Sequence, residues 1–250
     1  MKKEIIDVDK EKGTFRVTTK DERWYIRPSK NKTTGLPIYE FVPSVTWICG
    51  HYPKGVAFYK WLADKGWNEA EALKNAAGDK GSKIHLAIAD LLNGLTIKHD
   101  SLFLNKSTDQ PEDLSVEEYD AILSFKRWFD ETKPEVLGFE FMVWNDQENY
   151  AGTVDLKCRI GKEVWIIDVK SGQYVWPEYE LQLSAYKHAD QCDRLGVIQV
   201  GYKRNKNGYK FTEIYDKFPL FLAAKQIWAN ETKGQTPHQK DYPMEIKLGN

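Results

Sequence analysis

The chain has 250 residues, 41% hydrophobic, 29% charged and 13% aromatic, a mixture that excludes disorder and collagen-like or mucin-like repeats and fits one elaborated domain. Thirty-six basic residues against 37 acidic ones give a net charge of -1, so the totals announce no polyanion partner, although a few well-placed cations still make a local basic groove. No run approaches the roughly 18 apolar residues a bilayer span needs, and the start, Met1-Lys2-Lys3-Glu4, lacks an apolar signal core. Cys49, Cys158 and Cys192 are too scattered for a disulfide framework or a four-thiolate iron-sulfur site, so a cytoplasmic protein with no membrane partner is expected.

In chain order, apolar and polar residues alternate over Glu4 to Val8, Thr14 to Thr18, Trp24 to Arg27 and Ile38 to Val42. This predicts short antiparallel strands in a β-rich extension over residues 1–43, with the polar stretch Pro28 to Gly35 as its mobile loop. From Ser44 to about Ala77 the pattern is helical and aromatic, with Ser44 or Thr46 as a cap and an interruption at Pro53 and Gly55. Gly78-Asp79-Lys80-Gly81-Ser82 is expected to break it ahead of a further helix, whose stripe is Ile84, Ala87, Ile88, Leu91 and Leu92 and which carries His85 to an end near Gly94. Lys98 to Glu112 reads as a long surface loop, and Ser115 with Glu118 as the capping-box start of a helix that Pro134 stops. Strands are then expected over Val136 to Val143, Gly152 to Ile160 and Val164 to Val169, and a helix over Pro177 to Leu195. Strands over Gly196 to Tyr202 and Gly208 to Tyr215 and a helix over Pro219 to Thr232 complete the chain. The sum is an α/β fold, a mixed central β-sheet flanked by helices, in one compact unit over residues 44–250.

The chemistry concentrates on two strands. Asp155 ends Gly152-Thr153-Val154-Asp155, while Asp168 and Lys170 lie two apart, so both leave one face of their strand and Val169 points to the other. Carboxylates brought together on apolar strands repel unless a cation or proton sits between them. A divalent metal resolves the conflict. Oxygen ligands completed by water suit Mg²⁺ or Mn²⁺, and a neighbouring ammonium adds a point charge for a phosphate or an attacking water. Lys203, Arg204, Lys206 and Lys210 crowd one hairpin turn, as a solvated turn or as phosphate contacts. Trp24, Trp47, Trp61 and Trp176 are packing residues or rings for base stacking.

Asp155 followed by Asp168-Val169-Lys170 resembles the signature of the PD-(D/E)XK nuclease superfamily. Gln182-Leu183-Ser184-Ala185-Tyr186 looks like the Gln-x-x-x-Tyr motif of its RecB-type branch, the two polar residues sharing a helix face. Lys80-Gly81-Ser82-Lys83-Ile84-His85 is similar to that branch's basic-Gly-Ser/Thr-x-x-His helix start. Pro43-Ser44-Val45-Thr46 and the tail after Gly196 look like the smaller exonuclease-like members, among them phage RecB-type proteins and the mitochondrial genome maintenance exonuclease. The resemblance spans about residues 40–232 and is most specific from Glu140 to Tyr186.

The resemblance implies a restriction-endonuclease-like core that hydrolyses DNA, single-stranded or duplex, at or near strand ends with one or two Mg²⁺ or Mn²⁺ ions. On that expectation Asp155, Asp168, His85 and the main-chain carbonyl of Val169 hold one ion, and a second lies beside Glu140. Lys170 orients water or stabilises developing charge, while Gln182, Tyr186, Ser171, Lys203 and Arg204 bind or position substrate. Phage-type DNA processing, with a phage or host recombination protein as partner, follows by association only. Two departures from the branch stand out. Ala89 replaces the Glu that many relatives carry four residues after the histidine, with Asp90 rotated to another face, and the cysteines of cluster-bearing members are missing, so no iron-sulfur cluster is expected. The alternatives are a catalytically silent module that grips nucleic-acid ends or a partner protein, and a restriction-type or structure-specific endonuclease. Oligomeric state is left open.

Overall fold

The computed structural model describes residues 4–9, 14–18, 22–30 and 37–233, with positions 33, 35, 235, 236 and 248. Four strands, β1 (Glu4–Asp9), β2 (Thr14–Thr18), β3 (Arg23–Lys30) and β4 (Pro37–Pro43), form an antiparallel sheet in chain order. Three residues of the expected polar loop, Pro28, Ser29 and Lys30, belong instead to β3, while residues 31, 32 and 34 lie outside the described residues. Ser44 caps the short helix α1 (Val45–Cys49), its hydroxyl accepting from the Trp47 amide at 3.1 Å.

Next come α2 (Val56–Lys65), which buries none of its residues, and α3 (Trp67–Leu92). The latter corrects the expected break at Gly78 to Ser82: one continuous 26-residue helix runs through both glycines. Each glycine costs a helix about 1 kcal/mol relative to alanine. Burial of Ile84, Ala87 and Ile88 outweighs that. The buried Lys83 of the same helix pairs with Glu118 at 2.9 Å. The expected loop over Lys98 to Glu112 is likewise corrected. It contains a hairpin, β5 (Leu102–Asn105) with β6 (Gln110–Asp113), which buries Phe103 and turns on the Asn105 carboxamide. Helix α4 (Val116–Thr132) starts from the expected Ser115 and Glu118 capping box and stops at Lys133, left-handed at φ 48, before Pro134.

The central sheet follows: β7 (Glu135–Asn145), β8 (Tyr150–Ile160), β9 (Glu163–Lys170), helix α5 (Pro177–Ala189), β10 (Arg194–Val200) and β11 (Tyr209–Ile214), closed by α6 (Phe218–Thr232). Its order is β11-β10-β9-β8-β7, with β9 and β10 parallel and the other neighbours antiparallel, the mixed α/β architecture expected. Helix α5 ends six residues earlier than predicted. Asp190 is extended there, both carboxylate oxygens accepting from Lys157 at 2.7 and 2.8 Å, and Asp193 accepts from the Val164 amide to begin the return strand.

Each face of the sheet carries its own core. Ile166, Leu195 and Val197 pack with α1, α5 and α6, and with Val17 and Trp24 of the N-terminal sheet. Ile167, Val169, Ile198 and Val200 pack with α3 and α4. That alternation along β9 and β10 is the period of two that a doubly covered sheet requires. Among the described residues no helix is long and apolar enough to cross a membrane.

Candidate metal centre

The site forms where the regular pairing of β8 and β9 gives out. Their ladder ends at Leu156 opposite Ile167, and beyond it the Asp155 carboxylate, in place of a backbone carbonyl, accepts from the Val169 amide at 2.8 Å. On the other side the β7–β8 pairing sets Phe139 against Leu156 and Phe141 against Val154, so Glu140 falls opposite Asp155. Both strands change face here. Phe139 and Leu156 pack with the α3 and α4 core, whereas Phe141 and Val154 pack with the α5 core. Glu140 has φ 46, a left-handed conformation that costs a non-glycine residue roughly 1 kcal/mol or more. That local kink aims two carboxylates at one point.

Helix α3 delivers the third group. His85 is half-buried, with Nδ1 3.5 Å from Glu140 and 3.8 Å from Asp155. Its Nε2 lies 3.0 Å from the Val169 carbonyl, which only accepts, so Nε2 carries a proton and Nδ1 faces the carboxylates. The Val169 carbonyl thus orients the imidazole. Ligand atoms of His85, Glu140 and Asp155 all lie within 4.8 Å of one another, and no other such group of three occurs among the described residues. A recess of about 10 Å³, lined by these three with Ala89, Phe139 and Val169, offers roughly the room of one water molecule. Burial works against the charged imidazole, but the Asp155 charge and the contact with Glu140 outweigh it and raise the His85 pKa to about 9. Without a cation, a proton holds these groups together.

Asp168 stands beside this triple rather than in it. It is buried, with Oδ1 accepting from Lys170 at 2.6 Å and from the Gln182 amide at 3.1 Å. Its Oδ2 is buried with no donor, a condition that a nearby cation relieves. Burial pushes the Asp168 carboxyl up, against the opposing pull of Lys170. Lys170 remains charged because Asp168 and Asp155 outweigh its own desolvation, and its ammonium sits 4.9 Å from the Tyr179 ring centre. Gln182 also donates to the Tyr186 hydroxyl at 3.0 Å. Tyr186 lies so close over Gly152 that a β-carbon there would come 2.3 Å from its ring, so glycine is what lets α5 close onto β8.

Carboxylate oxygens, an imidazole nitrogen and an unpartnered buried acceptor are a donor set that suits Mg²⁺ or Mn²⁺. Ser171 faces Gly81 of α3, where a β-carbon would lie 3.8 Å from its hydroxyl. Lys203 and Arg204 lie apart from the triple: Lys203 pairs with Glu117 at 3.3 Å and Arg204 donates to Tyr174 at 2.9 Å. Trp24 and Trp47 pack edge-on with Trp228 in the core, which removes them as stacking residues, while Trp61 and Trp176 are exposed. Sequence reasoning misses Tyr179, although its place three residues before Gln182 puts it on the same helical face. Lys83 stands out in the sequence only as part of a motif, and its pairing with Glu118 joins segments too distant for spacing to reveal. The three cysteines are free; burial pushes the Cys158 and Cys192 thiols up, to about 12 and about 11.

No family model and no curated protein matches the chain. Among solved structures, the alkaline exonuclease LHK-Exo from Laribacter hongkongensis is 13% identical over 76% of this chain and 86% of its own, with a TM-score of 0.39. Its complex with dAMP gives 14% identity over 77% and 89%, again at 0.39. The protein SSO0001 is 9% identical over 61% of this chain and 84% of its own, with a TM-score of 0.34.

Proposed function

We propose that the chain is a divalent-metal-dependent DNA nuclease that hydrolyses phosphodiester bonds at strand ends. The observation that carries this reading is the convergence of His85, Glu140 and Asp155 within 4.8 Å, beside the buried Asp168 and its Lys170 partner. Preference for ends rests on the likeness of the three sequence motifs to RecB-type PD-(D/E)XK exonucleases.

Asp155, Glu140 and His85, with Asp168 at the edge, are the residues that would hold Mg²⁺ or Mn²⁺, which when bound supplies positive charge against the phosphate and makes water more acidic; the Val169 carbonyl, expected as a ligand, instead accepts from Nε2 of His85 on the far side of the ring. Lys170 contributes a second positive charge on the chain itself. Asp168 fixes its ammonium, so the charge is in place before substrate arrives and costs no reorganisation during reaction. Gln182 holds Asp168 from α5 and is in turn fixed by Tyr186, which makes both positioning residues. The Val169 carbonyl keeps Nε2 of His85 protonated and leaves Nδ1 as the donor toward the cation.

The test follows nucleotide release from end-labelled single-stranded and duplex DNA with Mg²⁺, Mn²⁺ or EDTA, and cutting of a closed circle. Release that needs metal and falls on the order of 10²- to 10³-fold in Lys170→Ala and Asp155→Asn is expected, with the circle left intact. Equal release from wild type and both variants, or binding with no release at all, overturns it; a cut circle replaces the exonuclease with an endonuclease.

A further inference from the structure

Between Lys170 and α5 runs a loop that holds two large rings in solvent. Tyr174 is 56% exposed and Trp176 52%, with ring centres 5.9 Å apart, while Val175 between them packs inward against the core. The loop is pinned. Gln199 donates to the Gly172 carbonyl at 2.9 Å; the Gln173 carboxamide donates to the Gly201 carbonyl at 3.0 Å and accepts from the Lys203 amide at 2.9 Å. Pro177 then starts α5. A pinned loop loses little further entropy when a ligand settles on it.

Cations border these rings. The Arg204 guanidinium lies over one face of the Tyr174 ring, 4.9 Å from its centre, and donates to its hydroxyl, and the exposed Lys203 of the same turn pairs with Glu117 at 3.3 Å. Lys170 stands four residues before Tyr174 in the chain and above the ring of Tyr179. Exposed rings beside cations suit a flat, aromatic, anionic polymer better than an apolar protein surface. Bases inside a duplex are already stacked on each other, so only unpaired ones can stack on protein rings.

We propose that Tyr174 and Trp176 form a stacking platform for unpaired bases of single-stranded DNA, with Arg204 and Lys203 against the adjoining phosphates. This deepens the nuclease reading, on which it rests for the nature of the ligand, and makes a single-stranded or frayed end the preferred substrate.

The experiment measures fluorescence anisotropy in EDTA, so that nothing is cut, with a short labelled oligothymidylate and an abasic oligonucleotide of equal length. It uses wild type, the double variant Tyr174→Ala with Trp176→Ala, and the double variant with Phe at both positions. Oligothymidylate affinity is expected to fall about ten-fold or more in the alanine variant and return with phenylalanine, while the abasic strand binds all three alike. The proposal is overturned if wild type binds no oligothymidylate, if the alanine variant binds it as wild type does, or if both strands weaken equally. Hydrolysis by wild type with Mg²⁺ or Mn²⁺ is scored separately. Stacking without cutting would sink the nuclease reading alone, and cutting with ring-independent binding would sink this proposal alone.

Discussion

Below about pH 9, His85 keeps its Nδ1 proton against the two carboxylates it faces. Its pKa in the metal-free fold, about 9, lies above the ordinary 6.5. The imidazolium therefore stabilises the fold fully below about pH 6.5, and this contribution is lost as pH rises through the folded value. Thermal unfolding in EDTA from mildly acidic to alkaline pH should show a steeper decline for wild type than for His85→Gln. Because a metal must displace that proton, Mn²⁺ should bind up to about ten-fold tighter per pH unit across this range. Identical pH slopes for wild type and His85→Gln would remove His85 from the centre. At this scale the sequence is readable wherever residues share one strand or one helix. The pair Asp168 and Lys170 and the pair Gln182 and Tyr186 meet as their spacing predicts. Glu140 is legible only as a member of a strand; its left-handed kink, which sets it against Asp155 and His85, is a property of the folded sheet.

Helix α3 carries His85 to the sheet, and its continuity depends on what it touches more than on what it contains. Gly78 lies in its interior with nothing within 4 Å of a β-carbon placed there, so Gly78→Ala should stabilise the protein by about 0.4–1 kcal/mol, seen as a higher Tm. No change or a loss would mean that the helix breaks there after all, as the sequence pattern alone implies. The contact between α3 and α4 provides a second measurement. Ser115→Ala removes one capping bond and should cost about 1 kcal/mol. Glu118→Ala also strips the buried Lys83 of its nearer ion-pair partner, leaving Glu112 at 3.8 Å, and should cost about 2–3 kcal/mol in denaturant unfolding. Equal losses would show that the ion pair contributes nothing. Caps and stops such as Ser115, Pro134 and Pro177 are legible because they act within a few residues. The end of α5 is not, because Asp190 stops it by binding Lys157 on another strand.

Across the molecule, the N-terminal sheet joins the core through Trp24, which is 2% exposed and packs edge-on against Phe41, Trp47 and Trp228. We propose that residues 1–43 and the remainder unfold as one unit. Trp24→Ala should then cost about 3–5 kcal/mol and lower a single transition that circular dichroism and tryptophan fluorescence report together. Two separated transitions would make the N-terminal sheet an independent body. Alternation, caps and motif spacing act over short distances, so the α/β class and most strand positions are written in the amino-acid order. The continuity of α3, the meeting of Glu140 with His85 and Asp155, and the choice of aromatic rings left in solvent arise only once the chain is folded. Those outcomes depend on where a ladder ends and on which distant side chain reaches a buried partner, and both are set by packing across the whole chain.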